Sequence, residues 1–257
     1  MAMDGLERLT RNAETLVEEG YYDVRAPVAP SPSFLAFLGR PNASAAVIAE
    51  IKFASPTMDR RQVAENFDAL LERLVGSRPL GLSVLAEPRI FGGHLEYVRR
   101  ASSKGVPVLM KDIVVDAQQI KAAAACGASA VLLIQAAESR GLLRQSIPSL
   151  VDLAHDRNLD VVLEVHTLDE WDAAVQTDAD MLGINNRDLT TMGVDLQTVP
   201  RMLSVRAKDR PVIAMSGIDR REQVEAMLHA GADAVLIGSA IMTSPDPGRK
   251  LEEFLHG

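Results

Sequence analysis

The amino-acid sequence predicts an α/β protein that folds as a closed (β/α)8 barrel, the TIM barrel, with an N-terminal helical extension. From residue 47 onward, short apolar runs rich in β-branched residues alternate with longer amphipathic stretches. There are eight such apolar runs, and a parallel sheet covered by helices buries runs of this kind on both faces. The length of 257 residues suits one barrel domain.

The strand and helix positions follow from the period of the apolar residues. Strands are predicted at residues 47–52, 81–86, 106–110, 130–134, 160–164, 181–185, 212–215 and 234–237. Helices are predicted at residues 61–75, 94–104, 116–126, 143–158, 168–176, 220–230 and 245–255. A doubly wound open sheet is the alternative architecture for alternating strands and helices, but eight units favour the closed barrel.

The N-terminal extension is predicted to cover residues 1–45, and the barrel residues 46–257, within one domain overall. Residues 1–24 have the pattern of one amphipathic helix. Four prolines interrupt the part that follows, where residues 34–40 predict a short second helix ending at Gly39. The extension is longer than a barrel needs before its first strand, so it either covers the mouth as a lid or plugs one end.

Composition and charge exclude several classes of protein. The net charge of −8 argues against a nucleic-acid binder, which would carry a basic face. Cys126 is the only cysteine, so an internal disulfide and a cysteine metal site are excluded, and a cytoplasmic location is expected. Without an apolar run of about 20 residues or an apolar signal segment, no membrane partner is expected. We expect a monomer or a weak homo-oligomer.

Charged residues end the first predicted strand. Glu50 and Lys52 lie one residue apart, so both side chains point to the same face of the strand, and Ile51 points to the other. Charges beside a buried strand are costly unless they are paired or used. A surface ion pair and an active site are both consistent with this pattern when it is taken alone.

Polar residues recur where the later strands end, and the carboxyl ends of barrel strands carry the active site in this fold. They are Glu87, Lys111, Asp112, Glu164, His166, Asn185, Asn186, Arg187, Ser216 and Ser239. A lysine in a dry mouth, such as Lys111, can donate a proton, and Glu164 can act as the partner acid or base with a raised pKa. Alternatively, these two residues only form an ion pair with each other or with Lys52. No metal site is indicated, because no tight ligand spacing is present.

The last two strand ends predict a phosphate site. Ser216 and Gly217 precede a helix, and Gly238 and Ser239 open the turn after the last strand. Small residues let backbone N–H groups approach a phosphate, and barrels often bind phosphate after strands 7 and 8. The predicted partner is therefore a small anionic phosphorylated substrate.

From about residue 46 to 242, the sequence resembles the indole-3-glycerol phosphate synthase family. The motifs that carry the resemblance are AEIKFASP (49–56), FGGHLEYV (91–98), PVLMKDIVVDAQQI (107–120), GASAVLLI (127–134), EVHT (164–167), LGINNRDLTTMGVDL (182–196) and MSGIDRREQVEAMLHAGADAVLIGSAIM (215–242). The resemblance implies a (β/α)8 carboxy-lyase of tryptophan biosynthesis. Its substrate would be 1-(2-carboxyphenylamino)-1-deoxyribulose 5-phosphate, and it needs no cofactor or metal.

The resemblance also implies roles for individual residues. Lys111 matches the general acid that protonates the ribulose carbonyl oxygen, and Glu164 matches the carboxylate that assists dehydration. Glu50 matches the acidic partner of the lysines. The matching binding residues are Lys52 for the anionic groups, Ser55 and Pro56 beside the aromatic ring, Asn185, Arg187 and Ser216 as polar contacts, and Gly217, Gly238 and Ser239 at the phosphate.

The chain departs from the family pattern near the expected ring site. Met215 stands where the family usually has a glutamate, Phe53 replaces a basic residue, and Ile113 replaces an aromatic residue. Ala86 replaces a frequent threonine, and residues 58–59 differ from the usual pair. Two alternatives to the synthase therefore stay open. One is a paralogous phosphate-binding barrel with a changed substrate, and the other is a non-catalytic protein that binds a sugar phosphate or a partner protein.

Overall fold

Parallel strands form a closed barrel in which each strand pairs with the next along the chain. The structure, a computed structural model, describes residues 3–24, 26–38, 46–55 and 67–256. The last strand pairs with the first, so the sheet has no open edge. The strands are β1 (Val47–Ile51), β2 (Gly81–Leu85), β3 (Val108–Lys111), β4 (Ala130–Ile134), β5 (Asp160–Val165), β6 (Met181–Asn185), β7 (Val212–Met215) and β8 (Ala234–Ile237). The predicted (β/α)8 barrel is confirmed, and the open sheet is wrong.

The strand boundaries agree with the sequence pattern to within two residues. The largest difference is at β3, which begins at Val108 rather than at residue 106. Pro107 cannot donate to a sheet ladder, and it contributes only its carbonyl oxygen, which accepts from the backbone N–H of Leu82. Lys111 is the last residue of β3 and lies beside Leu85 of β2. Lys111 therefore lies at the carboxyl end of the barrel.

The helices surround the barrel and lie at its two ends. They are α1 (Gly5–Glu18), α2 (Phe34–Leu38), α3 (Phe67–Gly76), α4 (Leu95–Ser102), α5 (Ala117–Ala125), α6 (Gln135–Ser139), α7 (Ile147–His155), α8 (Leu168–Ala174), α9 (Thr198–Val205), α10 (Arg221–His229), α11 (Ser239–Met242) and α12 (Pro247–His256). The sequence pattern did not predict α6, α9 or α11. Two of these are very short, and α9 contains Pro200 in its first turn, where a missing N–H costs no helical hydrogen bond.

Helix α1 lies across the carboxyl end of the strands. A capping box formed by Asp4 and Glu7 starts the helix, and both carboxylates also pair with Arg140, at 2.6 and 3.0 Å. Farther along, the amide of Asn12 donates to a carboxylate oxygen of Glu87 at 2.9 Å. The N-terminal helix is therefore a cover over the mouth of the barrel.

The residues after α1 run to the opposite end of the barrel. The backbone N–H of Ser31 donates to the carbonyl of Gly127, just before β4, at 2.8 Å. The hydroxyl of Ser33 donates to Asp160, the first residue of β5, at 2.7 Å. Phe34 is 1% exposed, and its ring lies against Gly81 where any larger residue would collide with it. The extension therefore both covers the mouth and plugs the base.

The strand bodies form one apolar core with the inner faces of the helices. Within the parts of the chain that the structure describes, no helix combines the length and the apolar character that crossing a bilayer requires. The predicted end of the second helix at Gly39 and the predicted start of the third helix at residue 61 lie outside the described residues. The division at residues 45 and 46 stays a prediction.

Replacing Phe34, which plugs the base of the barrel, tests how much the extension contributes to the stability of the fold. We expect Phe34→Ala to lower the free energy of unfolding by about 3–5 kcal/mol, because a fully buried aromatic ring is lost and a cavity is left against β2. The neighbouring Leu35 is 37% exposed, so Leu35→Ala is the matched control and should cost less than about 0.5 kcal/mol. Urea unfolding of both variants measures the difference. Equal small losses would mean that the extension is not part of the cooperative core.

Candidate active site

A cavity of about 250 Å³ lies at the carboxyl end of the barrel. Its wall contains every site residue predicted from the sequence that the structure describes: Glu50, Lys52, Ser55, Lys111, Glu164, Asn185, Arg187, Ser216, Gly217, Gly238 and Ser239. Pro56, the remaining predicted residue, lies outside the described residues. Residues far apart in the chain meet here because the carboxyl ends of all parallel strands point to the same side of a barrel.

Glu50 and Lys52 form an ion pair at the end of β1. Their charged atoms lie 2.7 Å apart, with the Glu50 side chain buried and the Lys52 side chain mostly buried. Burial opposes ionisation of Glu50, but the ammonium groups of Lys52 and Lys111 outweigh it, so the pKa of Glu50 lies below its ordinary value. Glu50 is therefore a carboxylate that holds two cations near the centre of the mouth.

The turn after β8 packs directly on this ion pair. Any Cβ atom at Gly238 would overlap the carboxylate of Glu50, so the close approach of the backbone requires glycine here. The next residue, Ser239, begins α11. Glycine at this position therefore lets the turn after β8 pack against the Glu50 carboxylate.

Lys111 and Glu164 face each other across the cavity from β3 and β5. The Lys111 Nζ atom lies 3.9 Å from Oε2 of Glu164, and the side-chain amide of Asn185 donates to Oε1 at 2.7 Å. Burial raises the pKa of Glu164, and the Lys111 ammonium and the Asn185 amide only partly oppose this effect. The Lys111–Glu164 distance is longer than a hydrogen-bonded ion pair, so the ammonium is not held tightly by the carboxylate and can contact a ligand in the cavity.

Arg187 adds a third cation, next to β6. Its Nη1 atom donates to the carbonyl of Met192 at 2.7 Å, and its backbone N–H donates to the side-chain oxygen of Asn185 at 2.9 Å. Burial lowers the pKa of the guanidinium, and the Glu50 carboxylate opposes this. A half-buried, always charged arginine suits a site for a carboxylate or a phosphate.

The turn after β7 has an unusual backbone. Ser216 and Gly217 have φ values of 69° and 79°, two successive residues in the left-handed region, which a non-glycine residue such as Ser216 rarely adopts. The side chain of Asn186 donates to the carbonyl of Ser216 at 3.1 Å and stabilises the turn. Backbone strain of this kind is typical of ligand-binding turns.

Several cavity residues were not given a role from the sequence. Asp112 is buried in the wall, and Leu9 reaches the cavity from α1. Ile113 and Met215, noted from the sequence near the expected ring site, also line the cavity, together with the apolar residues Leu85, Phe91, Ile134, Leu189, Met192, Ile218 and Leu236. Asp112 was noted from the sequence as a polar residue at a strand end, but its position directly after Lys111 gave it no role of its own. An apolar residue of an amphipathic helix, such as Leu9, gives no signal that distinguishes a cavity from a packed core.

Besides Asn186, which supports the turn after β7, two polar residues noted at strand ends lie outside the cavity wall. Glu87 is fully buried, and its carboxylate accepts three backbone N–H groups, from Arg89, Ile90 and Phe91. His166 contacts the backbone carbonyl of Asn185 through Nδ1 at 2.7 Å. Both residues support the loops around the cavity and do not line it. Among the described residues, no group of three or more His, Cys, Asp or Glu side chains is arranged to hold a metal ion.

Comparison with known proteins gives one consistent family. The profile described as indole-3-glycerol phosphate synthase matches residues 9–254 of the chain. An indole-3-glycerol phosphate synthase from Methanopyrus kandleri is 37% identical over 256 residues, 97% of this chain and 96% of that protein. Proteins of the same description from Roseiflexus sp. and Lactiplantibacillus plantarum are each 36% identical and cover 90% and 91% of this chain, and 87% and 88% of their own lengths.

Solved structures agree on the fold. Thiamine phosphate pyrophosphorylase from Pyrococcus furiosus superposes with a TM-score of 0.57 at 18% identity, over 83% of this chain and 94% of its own. A structure described as native KDPGal superposes with a TM-score of 0.57 at 14% identity, over 81% of this chain and 91% of its own. At these identities the likeness concerns the barrel alone.

The raised pKa of Glu164 predicts a pH-dependent stability. A carboxyl whose pKa is higher in the folded state than its ordinary value of 4.5 binds its proton more tightly when folded. Its favourable contribution is therefore lost as the pH rises from 4.5 towards neutrality. We expect the melting temperature of Glu164→Gln, relative to the unmodified protein, to increase over this range.

Thermal unfolding at several pH values measures this difference. Glu72→Gln is the matched control, because Glu72 lies on the surface of α3 with its side chain 63% exposed, and no such trend is expected for it. A melting-temperature difference for Glu164→Gln that stays constant with pH would contradict the burial of an acid with a raised pKa.

Proposed function

The chain belongs to the indole-3-glycerol phosphate synthase family, and we propose that it converts 1-(2-carboxyphenylamino)-1-deoxyribulose 5-phosphate into indole-3-glycerol phosphate, with Lys111 as general acid and Glu164 as acid and base. Members of this family are carboxy-lyases of tryptophan biosynthesis. The observation that carries the assignment of roles is the 3.9 Å separation of the Lys111 ammonium and the Glu164 carboxylate in the cavity that also holds the Glu50–Lys52 pair.

The first step forms the five-membered ring. The aryl carbon that bears the carboxylate attacks the ribulose C2 carbonyl carbon, and the nitrogen lone pair supplies electrons and becomes an iminium. The carbonyl oxygen takes a proton from the Lys111 ammonium as its negative charge develops. Lys111 suits this role because it ends β3 at the mouth, with its ammonium near two buried carboxylates, those of Glu50 and Glu164.

The remaining steps release carbon dioxide and water. The bond to the carboxylate breaks, and its electron pair returns to the iminium and restores the aromatic ring. The hydroxyl at the former C2 then leaves as water after protonation, and the former C1 methylene loses a proton to form the indole double bond. Glu164 has a raised pKa, so it can carry a proton to the leaving hydroxyl and accept one afterwards.

The cations and the strand-end turns suit the two anionic ends of this substrate. Lys52 and Arg187 are fixed by contacts with Glu50 and with the carbonyl of Met192, so each presents positive charge to the cavity. Gly217 and Gly238 lie in turns that lead into helices, and Ser239 begins α11. Backbone N–H groups at such positions favour phosphate. We infer that the phosphate binds at these turns with Lys52.

The apolar side of the wall suits the aromatic ring. Ile113, Phe91 and Leu236 line the same cavity as the charged groups, and transferring a flat ring from water to such a surface is favourable. Ile113 has no aromatic face, so it contacts the ring by dispersion and not by stacking. Ser55 lines the same cavity, and we propose that it lies beside the ring together with Pro56.

One observation favours a second candidate, a related phosphate-binding barrel with a changed substrate. Met215, at the end of β7, is 1% exposed and lines the cavity, where the family usually has a glutamate. Its side chain fills the space above Gly183, so the wall is apolar there. A purely non-catalytic role is disfavoured, because buried charges such as Glu50 and Glu164 are costly unless they are used.

The cellular setting and the assembly state are also proposals. The single cysteine and the acidic net charge of −8 support a cytoplasmic protein that acts without nucleic acid. We propose a monomer or a weak homo-oligomer, since the mouth of the barrel is completed by the chain's own α1, and sedimentation measurements test this.

The activity itself is tested with the proposed substrate. We expect the purified protein to produce a rise in indole fluorescence, and Lys111→Ala to lower kcat by at least about 100-fold, because the proton donor to the carbonyl oxygen is lost. Lys121 is an exposed lysine on α5, so Lys121→Ala is the matched control and should keep full activity. Binding of the substrate by the unmodified protein without indole formation would favour the changed-substrate barrel.

Replacing Met215 separates the two candidates further. For a synthase, we expect Met215→Glu to raise kcat, because a carboxylate in the wall adds a partner for the cations of the mouth. Met215→Gln has nearly the same shape without the charge, and it should give no such gain. If Met215→Glu gives no gain or a loss of kcat, the cavity is built around methionine for another ligand.

A further inference from the structure

Asp112 is a buried carboxyl at the mouth that the proposed mechanism does not use. It directly follows Lys111, is 1% exposed and contributes to the cavity wall. One of its oxygens accepts its neighbour's backbone N–H, that of Ile113, at 2.7 Å. The other accepts the hydroxyl of Tyr22 at 2.8 Å. A buried acid with two fixed hydrogen bonds beside the general acid is a candidate for control of that group.

Tyr22 belongs to the N-terminal extension. It lies four residues after the end of α1, and its own side chain is 3% exposed. Burial raises the pKa of its phenol, and the Asp112 carboxylate adds to this effect, so the hydroxyl stays a proton donor. The preceding residue, Tyr21, instead donates to the carbonyl of Ala86 at 2.8 Å. The extension is therefore attached to the ends of both β2 and β3.

The charge of Asp112 depends closely on its surroundings. Burial is the largest influence, and it raises the pKa of Asp112 to about 7. The Glu87 carboxylate after β2 acts in the same direction. The Tyr22 hydroxyl, the Ile113 N–H and the Lys111 ammonium act in the opposite direction. From α5, the neutral side chain of Gln119 forms a hydrogen bond with Tyr22. Near neutral pH, Asp112 is therefore poised between its two forms, and loss of the Tyr22 bond favours the protonated form.

We propose that Asp112 is a positioning residue for Lys111, and that the Tyr22 hydroxyl of the N-terminal extension keeps its carboxylate oriented and ionised. The proposal rests on the assignment of Lys111 as general acid. The Lys111 ammonium lowers the pKa of Asp112, so the ionised carboxylate and the ammonium attract each other at the mouth. In a water-poor mouth such an attraction is weakly screened. A hydrogen bond from the N-terminal extension thus influences Lys111, the proton donor, through Asp112.

The pH dependence of kcat tests the coupling. In the unmodified protein, kcat should fall as the pH decreases through about 7, because Asp112 becomes protonated and the ammonium loses its partner. This fall is the acidic limb of the pH profile. In Asp112→Asn, kcat should be lower at every pH, and the acidic limb should be absent. Tyr22→Phe should move the limb about one pH unit higher, which lowers kcat about fivefold at neutral pH, because a hydrogen bond to a charged group is lost.

Tyr21→Phe is the matched control. It removes a hydroxyl of the same segment that bonds Ala86 and Leu95 and not Asp112, so the limb should not move. Equal profiles for Tyr21→Phe and Tyr22→Phe, or an unchanged limb in Asp112→Asn, would overturn the proposal and leave a structural role only. Tyr22→Phe keeps the ring and the carboxyl in place, so the test does not depend on whether Asp112→Asn folds.

A second readout does not need activity. In protein labelled with ¹³C-aspartate and ¹⁵N-lysine, the Asp112 carboxyl signal should titrate near pH 7, and at higher pH in Tyr22→Phe. The Lys111 ammonium signal, assigned with Lys111→Arg, should follow the same titration and lose this response in Asp112→Asn. A Lys111 signal that ignores Asp112 overturns the proposal. Absence of indole product together with coupled titrations overturns the proposed activity alone and leaves the coupling standing.

Discussion

The attraction between cations and carboxylates in a water-poor mouth is the constraint on which the site depends. Glu50 holds Lys52 at 2.7 Å, and Lys111 lies 3.9 Å from Glu164. Neither carboxylate would be tolerated among apolar strand ends without its cation. The pKa of Glu50 is lowered and the pKa of Glu164 is raised, so two glutamates in one cavity favour different protonation states. Glu50 is held ionised by two lysines, and Glu164 is pushed towards its protonated form by burial.

The barrel supplies the rigidity that these contacts need. Each strand has neighbours on both sides, so the position of a strand end is set by hydrogen bonds along its whole length. Small residues then allow close approach where charges meet, as Gly238 does beside Glu50. The result is a site whose charged atoms come from separate strands and are held by the backbone and not by one another alone.

The N-terminal extension makes the mouth less exposed and ties it to the base. Helix α1 covers the carboxyl end through Asn12 and Glu87, and Phe34 closes the opposite end against Gly81. The segment between them carries Tyr22 to Asp112. A single stretch of chain thus touches the top, the flank and the bottom of the barrel, which explains why it is longer than a lid alone requires.

By itself, the sequence determined the barrel and predicted most of the residues that line its cavity. The alternation of apolar runs and amphipathic stretches specifies parallel strands and covering helices, and in this fold every strand end points to one side. Residues such as Lys111 and Glu164 could therefore be assigned to one cavity without coordinates. Only the tertiary structure decided the path of the extension, the supporting roles of Glu87 and His166, and the contact of Tyr22 with Asp112. The physical reason is that periodicity records which face of an element is buried and does not record which distant segment buries it.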